Sequence, residues 1–232
     1  MSGLINPQHI LNIPVIVDHF NPRFYFHELD YETVKKNNKR LMMTDIGKYS
    51  ITKPQHTIWI KKQLITFFKE KHINTKTLSL IDCNAGLGGD TISFSKYFKH
   101  VYAIEKNDIH FHLLKNNCDA IGLKNIDFKH SNFFDIIKQK EIRQKYNILF
   151  LDPPWGGPNY KKYESVNLEI ELGDNKRELH EVVNELFPFY SYIILKSPIN
   201  LKFEKDKFKY KNVKMIKEEN NKILLIIFQK DK

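Results

Sequence analysis

The chain has 232 residues, long enough for one domain with a substantial core and short for two. Its 37 basic and 27 acidic residues give a formal charge of +10, which suits a polyanionic partner, although much of the lysine is scattered among asparagine and isoleucine as a chain-wide bias. Two cysteines without ligand spacing, Cys83 and Cys118, point to neither a disulfide framework nor a metal site, and no apolar run of about 18 residues or basic-then-apolar leader is present. The expectation is a soluble intracellular monomer without a metal, its compartment (nucleus or cytoplasm) undetermined, and without a membrane partner.

Residues 1–40 carry Pro7, Pro14, Pro22, several aromatics and the basic run Lys35–Arg40, and read as an arm or small helical cap. A helix is predicted over 55–71, where Ile60, Leu64, Phe67 and Phe68 recur at helical spacing and Trp59 reads as a packing residue. From residue 78 short apolar runs alternate with helical stretches. LSLID (78–82) reads as a strand, a glycine-rich turn leads into a helix over 89–97, and HVYAIE ends a second strand at Glu105. Asp108 is expected to cap a helix closed by Gly122; NIDFKH is a third strand, and 134–144 a third helix. YNILFLD (146–152) runs straight into two prolines, Leu179–Leu186 marks another helix, and SYIILK (191–196), KNVKMIK (211–217) and KILLIIF (222–228) complete the strands, the last two as a hairpin joined by Glu218–Asn221. Alternating strands and helices predict an α/β fold with a mostly parallel sheet covered on both faces. Ligands of such sheets sit beyond the carboxyl ends of the strands. We divide the chain into an arm and cap over 1–75 and a catalytic domain over 76–232.

Asp82-Cys83-Asn84-Ala85-Gly86-Leu87-Gly88-Gly89-Asp90-Thr91 lies between the first strand and its helix. Glycines there let the backbone turn tightly and approach a ligand. A dinucleotide would use the same device, but Asp82 can balance a cationic ligand and no Lys-Ser/Thr ending of a triphosphate loop follows, which tilts the turn towards S-adenosylmethionine (AdoMet). Asp82, Asn84, Gly86 and Gly88 are its candidate contacts. Glu105 can accept two ribose hydroxyls, as it would in an NAD protein too. At the third strand end Asn132 can read an adenine edge with Phe133 near the ring, while an asparagine there also serves as a turn residue.

Asp152-Pro153-Pro154-Trp155-Gly156-Gly157-Pro158-Asn159-Tyr160 is the sharpest signal. The prolines fix the backbone and free carbonyls to accept, Trp155 offers a flat face to a base, and Asp152 or the Pro153 carbonyl can accept from an amino group. Holding the hydrogens of an aromatic amine in acceptors aims its lone pair at a methyl carbon, so the gain is orientation and prearranged electrostatics. Tyr160 is a further substrate-side candidate.

At these residues the chain resembles the trimethylguanosine synthase family, whose motif reads Ser-Pro-Pro-Trp-Gly-Gly-Pro-Asp-Tyr. The stretch Asp82–Phe94 is similar to the family's Asp-Ala-Phe-Cys-Gly-Val-Gly-Gly-Asn-Thr-Ile-Gln-Phe, and Gly47–Thr52 to its Gly-Trp-Phe-Ser-Val-Thr. The resemblance covers about residues 40–200 and implies a class I methyltransferase (Rossmann-like) fold with a seven-stranded sheet and an N-terminal helical extension. It implies AdoMet as cofactor, capped RNA as partner, and methyl transfer to N2 of a 7-methylguanosine cap. On that resemblance Trp155 stacks on the methylated guanine, Ser50 and Thr52 approach the cofactor, and Lys196 and Asn200 hold cap phosphates. Asp152 replaces the family serine and Lys48 its tryptophan, and the accessory region of larger members is missing, which implies a near-minimal catalytic domain. Alternatives are the same chemistry on an internal RNA guanine, amino methylation of DNA adenine or cytosine, a nonenzymatic RNA-binding protein on this fold, and an NAD oxidoreductase.

Overall fold

The computed structural model describes residues 20–230 apart from 28, 38–40, 173–174 and 221, so most of the arm and the end of its basic run lie outside the described residues. Four strands form the parallel half of the sheet: β1 (Ser79–Asp82), β2 (His100–Glu105), β3 (Ile126–His130) and β4 (Ile148–Leu151). A small antiparallel hairpin, β5 (Glu169–Leu172) with β6 (Asn175–Glu178), stands apart from it. The sheet is completed by β7 (Tyr192–Pro198), β8 (Asn212–Lys217) and β9 (Ile223–Gln229). Its order is β3-β2-β1-β4-β7-β9-β8, with β9 antiparallel to both neighbours and every other pairing parallel. This is the class I methyltransferase fold, with seven strands as expected.

Side chains alternate across the central strands. Leu149 and Leu151 of β4, Ile193 and Leu195 of β7, and Leu224, Ile226 and Phe228 of β9 enter one core; Ile148, Phe150, Ile194, Leu225 and Ile227 enter the core on the opposite face. Strands buried on both faces read as continuous apolar runs, which is why these segments stand out in the sequence.

Eight helices are described. α1 (Tyr31–Lys36) and α2 (Gly47–Ser50) belong to the N-terminal extension, and α3 (Pro54–Lys69) buries Ile60, Leu64, Phe67 and Phe68 against the second core, with Trp59 partly buried beside them. α4 (Gly89–Tyr97) follows the glycine turn. α5 (Asp108–Ala120) is capped by Asn107, whose side chain accepts from His110 N, and not by Asp108. Asn107 has the extended backbone that a cap needs, whereas Asp108 is already helical and places its charge in the first turn. The single helix expected over 134–144 is two, α6 (Phe133–Ile137) and α7 (Lys140–Lys145), because the backbone turns extended at Gln139. That break buries the apolar α6 and leaves α7, rich in charge, on the surface. α8 (Leu179–Leu186) packs Leu179, Val182, Val183 and Leu186 into the first core.

The extension is tied to the body through Asn117 of α5, buried, whose amide donates to the carbonyls of Met42 and Leu87 and whose Oδ1 accepts from Met42 N. Asn37 likewise donates to the carbonyls of Asp119 and Ala120.

Candidate active site

The parallel register sets a row of polar side chains along one edge of the sheet. Asp82, Glu105, Asn132 and Asp152 stand at the carboxyl ends of β1, β2, β3 and β4, and the pairing of Leu151 with Leu195 brings Asp152 opposite Lys196 of β7. Connections diverge between β1 and β4, the place where open α/β sheets hold their ligands.

On the cofactor side, Gly86 has φ +54° and a Cβ built there would meet nothing within 4 Å, so the turn is left-handed and faces open space. Its N–H donates to Glu105 Oε2 at 2.8 Å, and Glu105 Oε1 accepts from Asn107 N at 2.8 Å. Each carboxylate oxygen keeps a second acceptor position, as a ribose diol requires. Asp82 is 1% exposed; its Oδ2 accepts from Thr91 Oγ1 at 2.5 Å, while its Oδ1 is buried without a partner. Burial, reinforced by nearby Asp90, pushes its carboxyl up to about 7. An orphaned carboxylate oxygen beside an open glycine turn fits a cationic ligand. Gly88 caps α4 in a left-handed conformation, and Asn84 accepts from Asp152 N at 3.2 Å, joining the glycine turn to the proline loop.

The 47–52 segment lies directly on this turn. A Cβ on Gly89 would fall 2.9 Å from the carbonyl oxygen of Thr52, so only glycine allows that approach. Ser50 is exposed, whereas Thr52 is buried and donates to Asp90 Oδ2 at 2.5 Å. Asn132 caps α6 through Phe134 N and donates to the carbonyl of Glu171 at 3.2 Å, so its amide is engaged in structure; Phe133 is buried in the first core.

On the catalytic side, Pro153 is buried, Pro154 exposed and Trp155 half-buried against the first core, its ring edge-on to Tyr160 at 5.2 Å. The Trp155 indole nitrogen is buried near the Asp152 carboxylate, which it helps to keep ionised. Lys196 and Asn200 both have partners within the protein. Lys196 is 4% exposed; its ammonium donates to Asp152 Oδ2, to Asp90 Oδ2 at 3.2 Å and to Thr52 Oγ1 at 2.5 Å, and lies 5.6 Å from the Trp155 ring centre. Burial opposes that charge, but Asp152 and Asp90 outweigh it and hold the ammonium above the ordinary lysine range. Asn200 spends its amide on the carbonyls of Tyr160 and Tyr163, at 3.1 and 2.8 Å, and so braces the loop after β4 from behind. Sequence reasoning misses Asp90 as a site residue. Its signal is a carboxylate directly after the glycines, and burial at 7% beside a lysine far along the chain is not visible there. Among the described residues no cluster of three metal-ligating side chains occurs, and no helix is long and apolar enough to cross a membrane.

The family described as RNA cap guanine-N2 methyltransferase matches residues 77–231. An uncharacterized protein of Acanthamoeba polyphaga mimivirus is 31% identical over 157 residues, 67% of this chain and 59% of that protein. The trimethylguanosine synthase of Schizosaccharomyces pombe is 31% identical over 115 residues, 48% of this chain and 45% of the relative. That of Saccharomyces cerevisiae is 29% identical over 140 residues, 60% of this chain and 42% of the relative. The chain thus spans about half the length of the curated relatives it matches. Among solved structures, a 16S rRNA N2 methyltransferase of T. thermophilus in complex with AdoMet and guanosine is similar in fold, with a TM-score of 0.53 and 17% identity over 74% of this chain and 43% of that one.

Proposed function

Because the chain belongs to the RNA cap guanine-N2 methyltransferase family, we propose that it methylates the exocyclic N2 amine of a 7-methylguanosine cap on RNA, using AdoMet. The observation that carries this reading is the Asp152–Trp155 loop at the carboxyl end of β4, which sets a carboxylate acceptor beside a half-buried indole. Asp82, Glu105 and the open Gly86 turn would hold AdoMet. Bound there, it would supply an electrophilic methyl group on a sulfonium.

The work of the chain's own residues is orientation. Trp155 fixes the plane of the base. Asp152, with the Pro153 carbonyl, accepts the amine hydrogens and directs the nitrogen lone pair into the cleft. Asp152 need not take a proton before attack, since the N2 proton leaves readily once the nitrogen carries a positive charge. No covalent enzyme intermediate is needed, and the rate gain comes from positioning and fixed dipoles. A guanine cationic from N7 methylation gains electrostatic attraction to the indole beyond stacking, which would favour a methylated over an unmethylated cap. A second reading, the same transfer to an internal RNA guanine, is favoured by one observation, Asp152 in place of the family serine.

Trp155 and Trp59 are the two tryptophans, so intrinsic fluorescence tests the cap assignment. A 7-methylguanosine nucleotide should quench emission at lower concentration than the unmethylated nucleotide. Trp155→Ala should abolish this difference and lower kcat/KM on capped RNA by about 10–100-fold, the value of one base–aromatic stack, with AdoMet affinity largely kept. Equal quenching by both nucleotides would favour the internal-guanine reading.

A further inference from the structure

A buried ammonium is tolerated only where its hydrogen bonds and counter-charges are complete. Lys196 meets that condition: its three N–H groups reach Asp152 Oδ2, Asp90 Oδ2 and Thr52 Oγ1. These acceptors come from three places in the chain: the loop after β4, the first turn of α4, and the segment ahead of α3. Asp82 of β1 and Tyr160 of the loop after β4 also feel this charge. Asp152 commits Oδ2 to the lysine, and its side chain remains 18% exposed.

We propose that Lys196 is a positioning residue for methyl transfer: it keeps Asp152 ionised and pins Oδ2, so that the carboxylate presents fixed acceptors to the edge of the base. This rests on the amino-methyltransferase reading above. It also bears on which base is chosen. An ionised carboxylate only accepts hydrogen bonds. Guanine presents two adjacent donors, N1–H and N2–H, whereas adenine and cytosine set a ring-nitrogen acceptor beside their amine. The ion pair therefore matches guanine, and a protonated Asp152 would lose that preference. Asp90 plays the opposing part. It satisfies the lysine, but its own charge disfavours ionisation of Asp152, which burial already pushes up and Lys196 pulls down.

The test is the titration of Asp152, read by carboxyl-carbon NMR on the intact protein and assigned with Asp152→Asn. It is paired with kcat against pH on whichever RNA the wild type methylates. Lys196→Met should raise the Asp152 midpoint by at least about one pH unit, a tenfold change in its ionisation constant, and move the acid limb of kcat with it. Asp90→Asn should move both the other way. A lysine that merely braces the fold would lower kcat equally at every pH and give no pair of opposite shifts, and that result would overturn the proposal. Should Lys196→Met fail to fold, Asp90→Asn decides alone: a downward shift supports the proposal, and an unmoved midpoint sinks it. A wild type that transfers no methyl to any RNA would defeat the functional reading, while the carboxyl titration would still report on Lys196.

Discussion

At the scale of single residues, Asp82 is held between two demands. Buried at 1% exposure and near Asp90, it takes up a proton at about pH 7; a cationic cofactor beside its unpartnered Oδ1 would require it ionised. Binding a cation should therefore expel a proton wherever the free site is protonated. AdoMet affinity is expected to be flat above that value and to weaken by up to about tenfold per pH unit below it. Calorimetry in two buffers of different ionisation enthalpy reads both the affinity and the released proton. A dissociation constant independent of pH from 5.5 to about 8 would remove Asp82 from the cofactor's charge balance. Asp152 and the glycine turn are legible in the sequence because their chemistry is local: a carboxylate, two prolines and an indole in a row. Lys196 and Asn200 enter the sequence reading only through the resemblance, as phosphate contacts, and their partners within the protein are not visible there. What fixes their partners is the β4–β7 register and the fold of the loop after β4, and neither is written in neighbouring residues. Asp90 and Asp152 both stand where the family pattern has neutral residues, and Lys196 lies between them.

Among the elements, α6 shows how one side chain can serve structure where a ligand contact is expected. Asn132 caps the helix and ties it to β5 through Glu171, so the two roles separate by substitution. Asn132→Ser keeps a capping oxygen and should cost little stability, whereas Asn132→Ala should cost about 0.5–2 kcal/mol in denaturant unfolding. If the side chain reads adenine, both variants lose AdoMet affinity alike; if its work is capping, serine spares it. The central strands of the main sheet, β1, β4, β7 and β9, are visible as largely apolar runs because they are buried on both faces. The β5–β6 hairpin is not, although Leu168 and Ile170 alternate with exposed Asn167 and Glu169. Its partner strand, Asn-Lys-Arg-Glu, carries no apolar alternation to announce it. The break between α6 and α7 is hidden for a related reason: helical propensity runs through Lys138–Gln139, and the turn there follows from packing Phe133–Ile137 against the core.

Over the whole molecule, the charge of +10 is less free than composition suggests. Lys207 is paired with Glu204 and Glu178, Lys214 with Glu70, and Lys202 with Glu204, so part of the basic charge near the last strands is locally balanced. Lys161 and Lys162, by contrast, are exposed a few residues beyond the Asp152–Trp155 loop, next to Tyr163 at 62% exposure. If the RNA strand leaves the site over them, Lys161→Ala with Lys162→Ala should weaken binding across RNA sequences. The double change should reduce the slope of log affinity against log salt by about 0.7 for each phosphate that a lysine no longer neutralises. An unchanged slope would direct the search for the RNA path elsewhere. The most direct test of the proposed transfer supplies AdoMet carrying a labelled methyl group with short RNAs that end in a 7-methylguanosine cap, an unmethylated cap or no cap, and digests the products to nucleosides. Label on guanine N2 of the 7-methylated cap alone is the predicted result. Label on an adenine or cytosine amine, or on no RNA despite measurable AdoMet binding, would contradict it.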